Sequence, residues 1–213
     1  MAIAPTTSGL QAWLRRFARD RDGVSAVEFA IVLPFMLTLY LGSVELGEGL
    51  SIKFKTSLAA RTVTDLASQY ISIDGAHMQE ILGASSKVLS PYPTGSIVVT
   101  LTELKVNSNG KGVVQWSCSL NGTPYTTSPA QKLTMPANLQ TNGIIVLFGE
   151  VTYPYTPTLG YAITGTFNIY QNMYFYPRLA STISIRFSAT KSRIAVARML
   201  SESMSGSACL RRS

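Results

Sequence analysis

The chain has 213 residues, enough for one modest domain and a short additional segment. Apolar residues make up 46% of it and its mean hydropathy is +0.20, which is high for an ordinary soluble domain. The net charge of +7 comes from the two ends, residues 1–23 and 178–213. The basic residues of the two ends do not form a recognised nucleic-acid-binding motif, so we expect no nucleic-acid partner.

Residues 24–44 are apolar and contain a single charged residue, Glu28. At ~1.5 Å per residue this run spans roughly 32 Å of helix, about one hydrocarbon core, and it predicts a transmembrane helix rather than a buried core helix. Four arginines precede the run and no basic residue follows it before Lys53, which predicts a cytoplasmic N-terminus and an external C-terminal region. A cleaved secretory signal fits poorly, because the run is long and a small-residue cleavage site is weak.

Helical character extends beyond the apolar run. Residues 44–72 contain no proline, and apolar side chains recur there at steps of three and four residues, typical of one face of an amphipathic helix. These positions are Leu50, Phe54, Leu58, Ala59, Val63, Leu66 and Tyr70. We therefore predict one long helix over residues 24–72.

The rest of the chain predicts a second short helix and several strands. Residues 75–89 have helical periodicity, and residues 96–120 alternate about an Asn109-Gly110 turn, which indicates a β-hairpin. On its second strand, alternation places four side chains on one face: Val114, Trp116, Cys118 and Leu120.

Two later segments also have strand character. Residues 144–153 form a continuous apolar run typical of a strand covered on both faces, and residues 181–189 alternate like a fourth strand. The Tyr- and Phe-rich region between them is expected to be a loop or a short helix, and the segment "KSRIAVARML" at residues 191–200 a terminal helix or another strand. The prediction is an α+β fold: a long N-terminal helix with a small antiparallel sheet of about four strands.

The sequence lacks the common catalytic and metal-binding motifs. Its one histidine, His77, has no acid or thiol cluster beside it, and no nucleophile elbow, phosphate-binding glycine loop or paired CxxC motif occurs. We therefore expect no metal, no cofactor and no enzymatic activity. The acids Glu80, Glu103 and Glu150 are scattered singly and are expected to be solvated surface groups. Cys118 and Cys209 show no metal-ligand spacing, and the sequence leaves open whether they form a disulfide.

Glu28 is the exception to this absence of functional signals. A charged side chain inside a bilayer is unfavourable unless it pairs or reaches the interface, so such a residue is a functional candidate. The alternative is that Glu28 lies near the headgroups and has no role.

The surroundings of Glu28 resemble a known leader. A basic segment ends at Gly23, four residues separate it from Glu28, and the run "VSAVEFAIVLPFMLTLYLG" follows. This pattern resembles the leader of type IV pilins and, more closely, the start of the TadE-like family of the tight adherence (Flp-type) pilus system. The resemblance covers residues 20–64 strongly and extends weakly into "GEVTYPYTP" and "FYPRLAS".

The resemblance implies a maturation and assembly pathway. A prepilin peptidase would cut after Gly23, making Val24 the new N-terminus. Glu28, followed here by Phe29, would then pair with the Val24 ammonium of a neighbouring subunit. Pro34 lies in the middle of the span, where transmembrane helices tolerate proline as a kink, and this kink either has no role or lets subunits pack. The implied partners are this peptidase, other pilus subunits and the bacterial inner membrane.

The resemblance also indicates which member of the system this is. It divides the chain into a leader over residues 1–23, the helix over residues 24–72, and a periplasmic α+β domain over residues 73–213. That domain is far larger than the body of the major pilin, which favours a minor pseudopilin or assembly component. Two alternatives stay open: a signal-anchored module with an uncleaved N-terminus that binds a glycan or peptidoglycan, and a membrane-tethered enzyme.

Overall fold

A computed structural model describes residues 21–127, 132–158, 165–186 and 207–211. The chain divides into two compact units, Met1–Gly47 and Glu48–Ser213. The helices and strands have these bounds: α1 Arg21–Ser68, β1 Ser72–Asp74, α2 Gly75–Leu89, β2 Val98–Val106, β3 Lys111–Leu120, β4 Lys132–Thr134, β5 Ile145–Tyr155, β6 Phe167–Phe175, β7 Ser184–Arg186 and β8 Ser207–Arg211, with a short 3₁₀ helix at Ala137–Leu139. The predicted α+β fold with a long N-terminal helix is confirmed.

The first unit contains the N-terminal part of α1. Every side chain over residues 24–40 is exposed, on all sides of the helix. Pro34 lies inside the helix without ending it, and Thr38 Oγ1 donates to the Pro34 carbonyl oxygen at 2.7 Å. Among the described residues, α1 is the one helix long and apolar enough to cross a membrane, with a mean hydropathy of 2.0 in its most apolar stretch.

In the second unit, the remainder of α1 buries a different face from the one predicted. Ala59 and Val63 are buried as expected, but Leu50, Phe54 and Leu58 are 45%, 72% and 54% exposed. The buried face is instead made of small and β-branched side chains: Ile52, Thr56, Ala59, Ala60, Val63, Thr64, Ala67 and Ser68. Short side chains allow the sheet to pack closely against the helix. The free energy gained from this close packing outweighs what burial of the larger leucine side chains would contribute.

Helix α1 ends at Ser68, four residues before the predicted end. Backbone hydrogen bonds from Gln69 N to Leu66 O and from Tyr70 N to Ala67 O close a turn, and β1 follows. Helix α2 has the predicted bounds and is capped by Asp74, whose side chain accepts from His77 N at 2.8 Å.

The main sheet has six antiparallel strands in the order β4-β3-β2-β5-β6, with β8 also paired to β3. Strands β2 and β3 confirm the predicted hairpin. In its turn, Asn107 Oδ1 accepts from the backbone N–H groups of Asn109 and Lys111. Gly110 has a φ of +68°, a conformation that favours glycine.

The sheet is larger than the four strands predicted. Strand β6 occupies the region expected to be a loop or short helix. Its sequence FNIYQNMYF alternates apolar side chains with asparagine and tyrosine, a strand pattern that the prediction missed, although Ile169 is the one side chain of this strand that is buried. Of the strand predicted over residues 181–189, the described residues 181–186 contain β7, which pairs in parallel with β1 outside the main sheet. Residues 187–189 lie outside the described residues. The helix or strand predicted for residues 191–200 also lies outside the described residues, and β8 follows that segment without having been predicted.

A β-bulge in β3 divides its side chains between the two faces of the sheet. Glu103 pairs with Trp116 and Leu104 with Val114, so Gln115 is an additional residue between them. Trp116, Cys118 and Leu120 therefore share one face, as predicted, and pack with residues of α1 and α2, whereas Val114 faces the other way and the prediction for it is wrong. On that opposite face it joins a second apolar cluster: Leu104, Val106, Val114, Met135, Leu139, Val146 and Phe148.

Candidate functional site

The residues predicted to direct processing and assembly lie together at the start of α1. Gly23 and Val24 lie in the first turns of the helix, and Glu28 follows Val24 by four residues, which places both on one side of it. Val24, Glu28 and Phe29 are all exposed. Their accessibility leaves them available to lipid or to other subunits.

Cys118 and Cys209 form a disulfide in the structure. They face each other as register partners on β3 and β8, so the bond attaches the C-terminal strand to the sheet across 91 positions of sequence. The sequence left this pairing open because it depends on β8 reaching the outer edge of β3.

Glu103 is buried, and the expectation that it is a solvated surface group is wrong. It is 1% exposed on the face of the sheet that packs against the helices. Its Oε1 accepts from Thr182 Oγ1 at 2.8 Å and its Oε2 accepts from the backbone N–H of Ile183 at 2.7 Å. Burial raises the pKa of Glu103, although these hydrogen bonds oppose the rise. Because both carboxyl oxygens of Glu103 accept hydrogen bonds from Thr182 and Ile183, this side chain holds the residues just before β7 against the sheet.

Glu150 is also buried, at 9% exposure, and the same expectation is wrong for it. It lies on the opposite face of the sheet, where its Oε1 accepts hydrogen bonds from the hydroxyls of Tyr125 (3.1 Å) and Tyr170. Burial raises the pKa of Glu150, and the two tyrosine hydroxyls partly offset this. Burial, followed by the nearby carboxylate, raises the pKa of both tyrosines. Glu80 is exposed, as expected.

A cavity of about 270 Å³ opens beside Glu150. It is lined from β2, the loop after β3, β5 and β6 by Val98, Thr100, Thr123, Tyr125, Glu150, Thr152 and Tyr170. Five of these seven side chains carry hydroxyl groups and one carries a carboxyl group. Sequence reasoning missed this site. One signal for it was present, an acid in the middle of the apolar run of β5.

His77 does not build a metal site in the described part of the chain. Its Nδ1 lies 2.8 Å from Asp74 Oδ1 on an exposed helix start. Over residues 21–127, 132–158, 165–186 and 207–211, no group of three or more His, Cys, Asp or Glu side chains is placed to hold a metal ion.

Comparison with known proteins bears on the first helix. A family model described as TadE-like protein matches residues 23–64, which begin at Gly23 and cover most of α1. The chain has no significant match among curated proteins or solved structures.

Proposed function

We propose that the chain acts as a minor pseudopilin. The premise is that it carries a TadE-like segment and an apolar N-terminal helix and is thus a Tad pilus-associated membrane component. In this proposal a prepilin peptidase cleaves after Gly23. The helix then holds the protein in the inner membrane, with the C-terminal domain in the periplasm. Its role is structural, in the assembly of the pilus with other subunits, and not enzymatic.

The observation that carries the proposal is the coincidence of the family match with an uncovered apolar helix. The match starts at Gly23, and the side chains of residues 24–40 are exposed on all sides of α1. A helix that is apolar all round is stable where lipid or other helices surround it. Both environments are available to a subunit that moves from a membrane into a filament.

Glu28 has a role in this proposal that requires cleavage. After cleavage the Val24 nitrogen becomes an ammonium group at the start of the helix. Glu28 of an adjacent subunit then neutralises this ammonium in apolar surroundings, where an unpaired charge is strongly unfavourable. The pair therefore favours one axial register between subunits.

The second unit offers a surface for a further subunit contact. Leu50, Phe54 and Leu58 are spaced four residues apart, lie on one face of α1 and are largely exposed. Large apolar side chains exposed in a row are typical of interaction surfaces. This row supports packing against another pilus component.

The first test is the N-terminus of the protein isolated from its own membranes, determined by intact mass and peptide sequencing. We expect a chain that starts at Val24. The Gly23→Ala variant is expected to accumulate uncleaved. Gly42→Ala is the matched control in the same helix, because a Cβ added there meets nothing within 4 Å, and it should be processed normally. A wild-type chain that retains its leader would contradict the cleavage.

The second test separates processing from assembly. Glu28→Ala and Glu28→Gln remove the charge, so we expect normal cleavage but few or no pili by electron microscopy. Glu48→Gln, a charge removal elsewhere in α1, is the control and should leave piliation unchanged. Normal piliation in both Glu28 variants would refute the pairing role while leaving the cleavage proposal intact.

A signal-anchored binding module is the second candidate function. The observation that favours it is the hydroxyl-lined cavity beside Glu150, which a purely structural subunit does not require. An intact N-terminus combined with ligand binding at this cavity would make it the better account.

A further inference from the structure

Among the described residues, the donors to the Glu150 carboxyl group all reach one oxygen. Both tyrosine hydroxyls donate to the same oxygen, Oε1. Among the described residues no donor reaches Oε2, although the side chain is only 9% exposed and lines the cavity. A buried carboxyl oxygen without a donor is unfavourable, so this atom is suited to accept a hydrogen bond from a ligand.

The rest of the lining selects the class of ligand. Thr100, Thr123 and Thr152 present hydroxyls that both donate and accept hydrogen bonds. No lysine or arginine is among the described residues that line the cavity, so a phosphate or carboxylate ligand would find no counter-charge there. A neutral ligand with several hydroxyl groups matches both properties.

The aromatic side chain at the rim adds a second kind of contact. Tyr170 is 46% exposed even though its hydroxyl is fixed by Glu150 and by Asn172 Nδ2, which donates to it at 3.1 Å. Its ring is therefore held in one orientation with part of its surface open. A fixed, half-exposed ring offers an apolar surface next to polar groups, which suits a ligand with C–H and O–H groups on different faces.

The size of the cavity limits how much of a ligand it holds. About 270 Å³ lies just below the roughly 300–1,000 Å³ of sites for drug-sized ligands. One six-membered ring with its hydroxyl groups is of the right order, and the remainder of a longer ligand would extend from the mouth.

We propose that this cavity binds a single neutral sugar ring of a glycan. Glu150 Oε2 accepts from one sugar hydroxyl, the threonine hydroxyls bind others, and the Tyr170 ring lies against the C–H groups of the sugar. This site lies within residues 98–170 and does not depend on cleavage at Gly23 or on pilus assembly, so either proposal can fail without the other.

The experiment uses the full chain in lipid nanodiscs, because many detergents carry sugar headgroups that would compete. The probes are N,N′-diacetylchitobiose and cellobiose at millimolar concentration, detected by saturation-transfer NMR and titrated for affinity. We expect at least one of them to bind. Glu150→Gln and Thr152→Val, which keep the size of their side chains, should each weaken binding by about tenfold, the equivalent of one good hydrogen bond. Tyr176→Phe, at an exposed tyrosine outside the lining, should leave binding unchanged.

Three results would overturn the proposal. The first is the absence of binding by either disaccharide. The second is binding that neither variant weakens, which would place the sugar elsewhere. The third is that methylammonium binds and neither sugar does, and that Glu150→Gln abolishes the binding of methylammonium. This result would identify a site for a primary ammonium group. Thr152→Val is included because its side chain is only half-buried, so it remains informative if Glu150→Gln folds poorly.

Discussion

Replacing Gly149 with alanine tests how closely the central strand packs against α1. Gly149 lies on β5 between Leu101 of β2 and Met173 of β6. A Cβ built there would lie 1.9 Å from Thr64 Oγ1, 3.2 Å from Thr64 Cβ and 3.3 Å from the Ala60 carbonyl oxygen. The first distance is a severe overlap, so some group has to move.

The structure limits how this overlap can be relieved. Thr64 is fully buried, and its hydroxyl donates to the Ala60 carbonyl oxygen at 2.6 Å. Rotating the hydroxyl away would lose this hydrogen bond, at roughly 1 kcal/mol. The tight contact with the Ala60 backbone would remain, and overpacking of this kind destabilises by about 1–3 kcal/mol. We therefore expect Gly149→Ala to lower the free energy of unfolding by about 2–4 kcal/mol.

The assay is urea unfolding of the full chain in a zwitterionic detergent, followed by tryptophan fluorescence. The sequence has two tryptophans, so a Trp13→Phe background leaves the buried Trp116 as the reporter. Gly83→Ala is the control, because its added Cβ meets nothing within 4 Å inside α2 and should be neutral or stabilising by up to about 1 kcal/mol.

A double variant tests the cause of the destabilisation. Thr64→Ala removes the overlapping oxygen, so the Gly149→Ala/Thr64→Ala protein should be more stable than the sum of the two single effects predicts, by about 1 kcal/mol or more. The reasoning is refuted if Gly149→Ala is as stable as Gly83→Ala, or if the two effects simply add.

Two further predictions concern the buried acid and the disulfide. Burial raises the pKa of Glu103 above its ordinary value of 4.5, so the folded chain holds this proton more tightly than the unfolded chain does. The resulting stabilisation is complete below pH 4.5 and is lost as the pH rises through the raised pKa. The isosteric Glu103→Gln variant lacks this titrating group, so its unfolding free energy, measured at several pH values, should decrease less as the pH rises. A pH dependence equal to that of the wild type would contradict this prediction. Replacing Cys118 and Cys209 with serine removes a bond that closes a loop of 91 positions, so it should lower the unfolding free energy by about 2–5 kcal/mol. The measurement is the melting temperature, which should decrease. A melting temperature equal to that of the oxidised wild type would contradict this prediction.

Features with a local cause were predicted well from the sequence. The apolar helix follows from composition alone, and the hairpin of β2 and β3 follows from Asn109-Gly110 between alternating segments. Helix α2 was predicted with its observed bounds. The TadE-like segment was recognised because its leader, glycine and acid are adjacent in sequence.

Features that depend on distant partners were missed or left open. The buried state of Glu103 depends on Thr182 and Ile183, which are 79 and 80 positions away, and no local pattern carries that information. The cavity beside Glu150 likewise needs Tyr125 and Tyr170 to converge from different parts of the chain.

The predicted face of α1 failed for a related reason. Helical spacing alone does not show which apolar face the sheet contacts. The close approach of Gly149 on β5 to Ala60 and Thr64 favours the face with small side chains.

The position of β8 has a consequence for biogenesis. Strand β4 covers Lys111–Val113 at the outer edge of β3, and β8 covers Trp116–Leu120. The ribosome makes β8 after every other described strand, so that half of the edge stays unpaired until β8 has been made. In the orientation proposed above, the cysteine of β8 becomes oxidised only once it has crossed the membrane. In that orientation, a chain that lacks β8 would expose an open sheet edge in the periplasm, where proteases and chaperones could bind it.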